Sequence, residues 1–164
     1  PHLKPAFREG GTVTAANSSS ISDGAAALSL AGRAAVTAHN LDVHAQISGH
    51  AGFAHAPGWF TTAPIFAARK LLKKIGWQAS DVDIWEVNEA FAVVAMAFIR
   101  ELEIDPKHVN IHGGACALGH PIGASGARIL VSLLNALKQS GGSKGIAAIC
   151  LGGGEGIAVA VETA

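Results

Sequence analysis

Residues 113–164 read GGACALGHPIGASGARILVSLLNALKQSGGSKGIAAICLGGGEGIAVAVETA. This stretch predicts a glycine-rich loop followed by a helix that begins near Ser125 and stops at Gly141-Gly142. Two apolar strands follow, at 146–151 and 157–161, and the tight turn between them favours an antiparallel pair. The buried face of the predicted helix is formed by Ile129, Leu130, Leu133, Leu134 and Leu137.

Strands and helices also alternate in the preceding part of the chain. A helix is predicted between Pro64 and Gly76, since proline suits a first helical turn and glycine a C-terminal cap. A strand over 82–87 leads into a second helix, for which Asn88 is the predicted N-cap and Glu89 a first-turn residue. Weaker patterns predict a helix at 32–39 and strands at 12–14, 25–31 and 43–48. The chain is therefore expected to be α/β, with a mixed sheet covered by helices.

The composition excludes several classes of protein. The 164 residues carry a formal net charge of +0, 49% are hydrophobic and 15% are charged, which argues against disorder and against nucleic-acid binding. No uncharged apolar run reaches about 18 residues, so no membrane partner is expected. There is no pattern of a secretion signal and only two cysteines, Cys116 and Cys150, which favours a reducing, cytoplasmic location.

Three polar side chains are candidates for chemistry because they sit at strand ends or in glycine-rich loops. They are Asn88, His120 and Cys150. A cysteine and a histidine suit acyl transfer. Gly152, which follows shortly after Cys150, has no side chain, so its backbone N–H is free to face a developing oxyanion. A buried structural cysteine and an ordinary loop histidine remain the alternative. No metal site is expected, since His108 and His112 have no acidic partner in sequence.

Four motifs resemble those of the thiolase family, in the same order and with matching spacing. They are TVTAANSSSISDGAAA at 12–27, NEAFA at 88–92, GGACALGHPIGASGAR at 113–128 and CLGGGEGIA at 150–158. The resemblance implies one βαβαβαββ half of the thiolase fold and covers the C-terminal two-fifths or so of such an enzyme. It divides the chain into a lead-in segment, 1–11, and a C-terminal thiolase domain, 12–164.

The resemblance also implies roles for the candidate residues. His120 would activate a nucleophilic cysteine of the other half, which neither cysteine of this chain matches, and Cys150 would shuttle the proton of coenzyme A or of an α-carbon. A water held by Asn88 and the N–H of Gly152 would stabilise oxyanions. The pantetheine arm of coenzyme A would be lined by Ala15, Ser19, Ala90 and Phe91. Phe60 stands where a substrate-pocket methionine is common, beside the bulky Trp59, and is also expected to contact the substrate.

Three functions are therefore open. The first is an acetyl-CoA acetyltransferase type of thiolase, acting on acetyl-CoA or acetoacetyl-CoA as a homodimer or homotetramer, with coenzyme A thioester as substrate and no covalently bound cofactor. The second is a related ketoacyl synthase, which Asn88 and Cys150 disfavour because that family has a histidine at the first position and no cysteine at the second. The third is a non-catalytic assembly partner. On any of these readings, the chain alone is expected to be inactive.

Overall fold

A computed structural model describes residues 2–164; Pro1, the first residue of the predicted lead-in segment, lies outside them. A four-stranded sheet is combined with five α-helices. The strands are β1 (Ala45–Ala54), β2 (Ile84–Val87), β3 (Lys144–Leu151) and β4 (Glu155–Thr163). The helices are α1 (Arg33–His39), α2 (Ala63–Ile75), α3 (Ala92–Leu102), α4 (Ala115–Leu118) and α5 (Ile122–Ser140). No helix within residues 2–164 is both long and apolar enough to cross a membrane.

The sheet is mixed, as the sequence predicts. Its order is β1-β4-β3-β2, with β3 and β4 antiparallel and β2 parallel to β3. Beyond β2, a single parallel bridge joins Trp85 to Val109. This bridge occupies the place of the third strand in the βαβαβαββ pattern, which is too short here to form a ladder. The α/β class and the antiparallel final pair are thus confirmed.

Helices cover both faces of the sheet. Strand alternation sends Ile146, Ala148 and Cys150 to the face packed by α2 and α3, and Ala147 and Ile149 to the face packed by α5. On α5, the predicted buried positions Ile129, Leu133 and Leu137 are at most 2% exposed, whereas Leu130 and Leu134 are only partly buried. Within residues 2–164, the apolar face of α5 is therefore fully covered at three of its five positions and partly covered at the other two.

The sequence predicts where α2 and α5 end more accurately than where α3 and α5 begin. Gly76 and Gly141 adopt left-handed φ values of 75° and 71° and cap α2 and α5, as predicted. The predicted start of α5 near Ser125 is wrong by one turn, because the carbonyl of Pro121 already accepts hydrogen bonds from the next helical N–H groups. The N-cap predicted at Asn88 is also wrong. Its N–H continues the sheet by donating to Ala148, and α3 begins only at Ala92.

The N-terminal region contains less regular structure than predicted. The strand expected over 25–31 is wrong: this segment is irregular and mostly exposed, and no neighbouring strand of residues 2–164 pairs with it. The strand at 12–14 is likewise absent, and a single 3-10 turn (Ala15–Asn17) follows instead. The predicted helix at 32–39 is confirmed as α1, and the strand predicted at 43–48 is part of the longer β1. Two isolated bridges, Ser18 to Phe91 and Ile21 to His120, attach this region to the domain.

Candidate active site

The centre of the site is a contact between two predicted residues. Asn88 follows β2 and is fully buried, and its Nδ2 lies 3.3 Å from Nε2 of His120. His120 lies between α4 and α5, where its backbone N–H donates to the carbonyl of Ser20 at 2.9 Å. Asn88 is attached to the sheet through its own N–H. The fold thus fixes both backbones before the side chains meet.

A serine one turn into α5 determines which nitrogen of His120 carries the proton. The Ser125 hydroxyl donates to the carbonyl of Pro121 at 3.0 Å, so its oxygen is left to accept from Nδ1 of His120 at 2.6 Å. Nε2 is then unprotonated and accepts from the Asn88 amide. Burial first, and the positive charge of Arg128 second, lower the pKa of His120. The imidazole is therefore held neutral, with a basic nitrogen facing Asn88.

A buried charge pair lies behind Asn88. Arg128 Nη2 donates to Asn88 Oδ1 at 3.3 Å, and Arg128 Nη1 lies 3.7 Å from Glu86 Oε2. Glu86 is only 1% exposed. Burial raises its pKa to about 7, and the guanidinium of Arg128 opposes that rise. An ionisable group of this kind in the interior is a signature of functional sites.

Glu89 has a structural role, but it is not the predicted first-turn helix residue, because α3 begins only at Ala92. Its carboxylate accepts hydrogen bonds from Asn110 Nδ2 at 2.8 Å and from the Cys116 N–H at 3.2 Å. Asn110 in turn exchanges two hydrogen bonds with the backbone of Val87. A Cβ on Gly114 would overlap the Glu89 carboxylate, so a side chain there would displace the carboxylate from its hydrogen bonds to Asn110 and Cys116. Glu89 therefore anchors the glycine-rich loop to the end of β2.

The two cysteines occupy different environments. Cys116 is half-buried rather than buried, and its Sγ donates weakly to the Glu89 carbonyl at 3.7 Å. Burial and the Glu89 charge raise the pKa of its thiol. Cys150 is 7% exposed near the end of β3, and burial raises the pKa of its thiol as well. Both sulfurs are thus protonated at neutral pH, as a proton donor requires and an activated nucleophile does not.

Cys150 shares a sheet edge with the Asn88–His120 pair. In the parallel register Val87 is opposite Ala148, so both strands end at the same edge. The Asn88 N–H donates to Ala148, two residues before Cys150. Within residues 2–164, no hydrogen bond links Cys150 to His120. The exposed Gly152 begins the following turn, and the left-handed Gly154 (φ 97°) closes it, with its carbonyl accepting a hydrogen bond from the His55 N–H at 2.9 Å.

Four of the five residues predicted to contact the coenzyme A arm or the substrate come together. Ser19 donates twice to the carbonyl of Ala90, from its N–H at 3.1 Å and from its hydroxyl at 2.9 Å. The rings of Phe60 and Phe91 meet edge-on, with 6.4 Å between centroids. The fifth, Ala15, is exposed in the 3-10 turn that leads into this loop. Trp59 is 65% exposed and does not share the surroundings of Phe60.

Four residues of the candidate site are not predicted from the sequence. They are Glu86, Asn110, Arg128 and Ser125, of which the sequence predicts only that Ser125 starts a helix. A signal existed for three of them. Ser125 and Arg128 are three apart on one helix face just after His120, and Glu86 is an acidic residue inside an apolar strand. Asn110 has no such signal, because its role depends on a left-handed backbone with φ of 50°.

The residues available for a metal are few. Within residues 2–164, there is no cluster of three or more histidine, cysteine, aspartate or glutamate side chains suited to a metal ion. His108 instead places Nδ1 2.9 Å from the carbonyl of Asp83.

Comparison with known proteins places this site in a family. The model of the thiolase C-terminal domain matches residues 41–163, and that of the thiolase N-terminal domain matches residues 1–34. The chain therefore belongs to the thiolase family. The two matches meet between residues 34 and 41, and the division after residue 11 stays a prediction.

Individual relatives agree with this assignment. Acetyl-CoA acetyltransferase 1 of Arabidopsis thaliana is 52% identical over 161 residues, covering 98% of this chain and 39% of that protein. The crystal structure of the Bacillus anthracis acetyl-CoA acetyltransferase superposes with a TM-score of 0.96 at 44% identity, covering 99% of this chain and 41% of that one. A thiolase from Ascaris suum, in complex with coenzyme A, gives a TM-score of 0.91 at 44% identity, covering 100% and 43%. The chain thus spans about two-fifths of the length of these relatives.

Proposed function

We propose that this chain supplies the acid–base half of a thiolase active site, for transfer of an acetyl group between coenzyme A thioesters. The observation that carries the proposal is the contact between Asn88 Nδ2 and the unprotonated Nε2 of His120, at the sheet edge that also holds Cys150. A basic imidazole and a protonated thiol at one edge are the two groups that a carbon–carbon bond cleavage of this type needs.

In the first step, Nε2 of His120 accepts the proton of a nucleophilic cysteine that this chain does not contain. The resulting thiolate attacks the 3-keto carbon of acetoacetyl-CoA, and the bond between C2 and C3 breaks. The electron pair of that bond leaves as the enolate of acetyl-CoA. A water on Asn88 and the imidazolium of His120 stabilise the negative oxygen, and the Cys150 thiol donates its proton to the α-carbon.

In the second step, the Cys150 thiolate takes the proton of a free coenzyme A thiol. The coenzyme A sulfur attacks the acetylated cysteine, and the N–H of Gly152 stabilises the tetrahedral oxyanion. The cysteine leaves as a thiolate and recovers its proton from His120. Protons and charges balance over the cycle, and the reverse sequence condenses two acetyl-CoA molecules.

The substrate side of the proposal rests on the contacts around Phe91. Ser19 and Ala90 form one wall and Phe60 and Phe91 form an aromatic wall, which suits the thin pantetheine arm of coenzyme A with its alternating methylene and amide groups. Ala15, at the entrance, is proposed to contact the same arm. We further propose a cytoplasmic location, from the small number of cysteines, and a homodimer or homotetramer of the full-length enzyme, as the family resemblance implies.

Phe60 is proposed to limit the acyl chain. A half-buried ring in place of a flexible methionine leaves less room, and an extra methylene in a closed apolar pocket is worth about 1–3 kcal/mol. In an enzyme completed by the N-terminal part of the Bacillus anthracis relative, Phe60→Met is expected to raise kcat/KM for 3-ketohexanoyl-CoA relative to kcat/KM for acetoacetyl-CoA. Trp59→Met, a change at the exposed neighbouring ring, is the control. An unchanged ratio in Phe60→Met would remove the ring from substrate selection.

The proposal is tested with a hybrid enzyme. In it, the N-terminal part of the Bacillus anthracis relative precedes this chain, which replaces the matched C-terminal 41%. The folded hybrid is expected to cleave acetoacetyl-CoA in the presence of coenzyme A, and the 164-residue chain alone is not. A folded hybrid without cleavage, or cleavage by the chain alone in proportion to its concentration, would contradict the proposal. The first outcome would favour a non-catalytic assembly partner.

A further inference from the structure

The amide of Asn88 is fully buried between a hydrogen-bond donor at one end and a hydrogen-bond acceptor at the other. Its Oδ1 lies 3.3 Å from the guanidinium of Arg128, and its Nδ2 lies 3.3 Å from His120 Nε2. The two ends of an amide have almost the same shape, so packing alone does not distinguish them. Their chemistry does, because oxygen only accepts hydrogen bonds and the NH₂ group only donates.

Arg128 is the partner that tells the two ends apart. A guanidinium has five N–H donors and no acceptor, whatever the pH. Turning the amide over would bring its NH₂ group against those donors and leave both without a bond. The orientation in which Asn88 donates toward His120 is therefore the one that Arg128 permits.

The placement of Arg128 suits this task. It follows Ser125 by three residues on α5, so one face of one helical turn contacts both partners: Ser125 binds His120 and Arg128 binds Asn88. Its counter-ion is Glu86, two residues before Asn88, on the α5 face of β2. Without that carboxylate, a cation with a side chain only 19% exposed would be costly to bury.

The ion pair itself is poorly built for stability. Its N–O distance of 3.7 Å is too long for a hydrogen bond. Within residues 2–164, Glu86 Oε1 and Arg128 Nε and Nη1 are buried without hydrogen-bond partners. The hydrogen bond that the guanidinium does make to a side chain goes to Asn88. The arrangement is explained by what Arg128 does to Asn88 rather than by its bond to Glu86.

We infer that Arg128, balanced by Glu86, is a positioning residue that locks the Asn88 amide with its N–H groups toward His120 and the reacting oxygen. The inference rests on the proposed function for its catalytic meaning but not for its structural content. The fixed positive charge of Arg128, which lies beside Oδ1, also polarises the amide. This makes the amide N–H groups stronger donors toward an enolate or its bridging water.

The first test uses the 164-residue chain and needs no turnover. The ¹⁵N NMR shift of His120 Nε2 reports whether that nitrogen accepts a hydrogen bond. In Arg128→Met, the Nε2 signal is expected to move to the position of a free, unprotonated nitrogen, and Arg128→Lys, which still only donates, is expected to restore it. Arg100→Met, at an exposed arginine of α3, is the matched control. An unmoved Nε2 signal in folded Arg128→Met overturns the inference.

A second variant covers the case in which Arg128→Met does not fold. Arg128→Gln keeps a polar side chain but offers an acceptor as well as donors. Two sets of Asn88 amide signals are expected, one for each orientation. A single set with the wild-type shifts overturns the inference.

The second test measures kinetics in the hybrid enzyme. Arg128→Met is expected to lower kcat by roughly 10- to 100-fold with KM unchanged, because the substrate still binds but the oxyanion donor is misplaced. If the NMR signal moves but thiolysis does not change, the proposed catalytic role of Asn88 and His120 fails while the positioning role stands. The two proposals are therefore separable.

Discussion

The two parts of the candidate site are built by opposite means. Around Asn88 and His120, geometry is set by side chains: Ser125, Arg128 and Asn88 form a continuous set of hydrogen bonds through the imidazole. Around Cys150, it is set by the backbone and by missing side chains, since Gly154 closes the following turn and Gly156, opposite Cys150 in β4, leaves room for the start of α2. The first part is thus sensitive to the chemistry of its neighbours, and the second to their volume.

The largest expected effect is loss of either proton carrier. In the hybrid enzyme, His120→Ala and Cys150→Ala are each expected to lower kcat by roughly 10²-fold or more, the range for removing a general acid or base. Cys116→Ala removes the other sulfur of the chain and is expected to leave kcat within about two-fold, because Cys116 contacts Glu89 and no proton carrier. Initial rates of acetoacetyl-CoA cleavage measure all three. A near wild-type rate for His120→Ala or Cys150→Ala would remove that residue from the mechanism.

The side-chain part of the site is expected to make the free energy of unfolding of the chain depend on pH through Glu86. Burial raises the pKa of Glu86 to about 7 from its ordinary 4.5, so the folded state holds this proton more tightly than the unfolded state. The resulting stabilisation is complete below pH 4.5 and is lost as pH rises through about 7, a change of up to about 3 kcal/mol. Arg128 and Glu89 are the charged groups that act on this carboxyl.

Glu86→Gln isolates that contribution. The glutamine side chain has no proton to release. The free energy of unfolding of the variant, relative to that of the wild type, is therefore expected to rise between pH 5 and pH 8. The lowered pKa of His120 acts in the opposite sense, stabilising the fold as pH rises toward the ordinary value of 6.5, but it is present in both proteins and cancels to first order. Urea denaturation at the two pH values measures the difference, with exposed Glu162→Gln as the control. A pH-independent difference between wild type and Glu86→Gln would contradict the assignment.

The backbone part of the site is expected to respond to a single methyl group. A Cβ on Gly156 would lie 2.6 Å from the backbone of Ala63 and Pro64, where α2 begins. Gly156→Ala is therefore expected to lower the free energy of unfolding by about 1–3 kcal/mol, the cost of overpacking. Gly153→Ala, three residues earlier with nothing within 4 Å, is expected to change it by less than about 0.5 kcal/mol. Equal denaturation midpoints for the two variants would show that the turn yields more easily than its packing indicates.

The same contrast explains what could be predicted from the sequence. The strand–turn–strand unit around Cys150 and the glycine caps of α2 and α5 are local patterns, and they were predicted correctly. The N-cap at Asn88 was not, because that position is claimed by the sheet through Ala148, 60 residues away in the chain. The strand at 25–31 failed for a related reason: small apolar residues form a strand only if a neighbour pairs with them.

The site residues divide in the same way. Asn88, His120 and Cys150 can be proposed from the sequence because they lie at strand ends and in glycine-rich loops. Glu86 and Asn110 act across more than 20 residues of sequence, on Arg128 and Val87, and such pairings exist only after the chain has folded. Their partners are set by the packing of α5 and of the loop at Asn110 against β2, and not by spacing in the sequence.

The depth of the Glu86–Arg128 pair has a consequence for behaviour in salt. Mobile ions screen charges over about 10 Å at 0.1 M, but only where solvent reaches them. Glu86 is 1% exposed, whereas the surface pair of Arg69 and Glu101 has side chains 44% and 52% exposed. Raising the ionic strength therefore weakens the surface pair and leaves the attraction behind Asn88 nearly intact. The alignment of the Asn88 amide is therefore expected to depend little on ionic strength, unlike the surface ion pair.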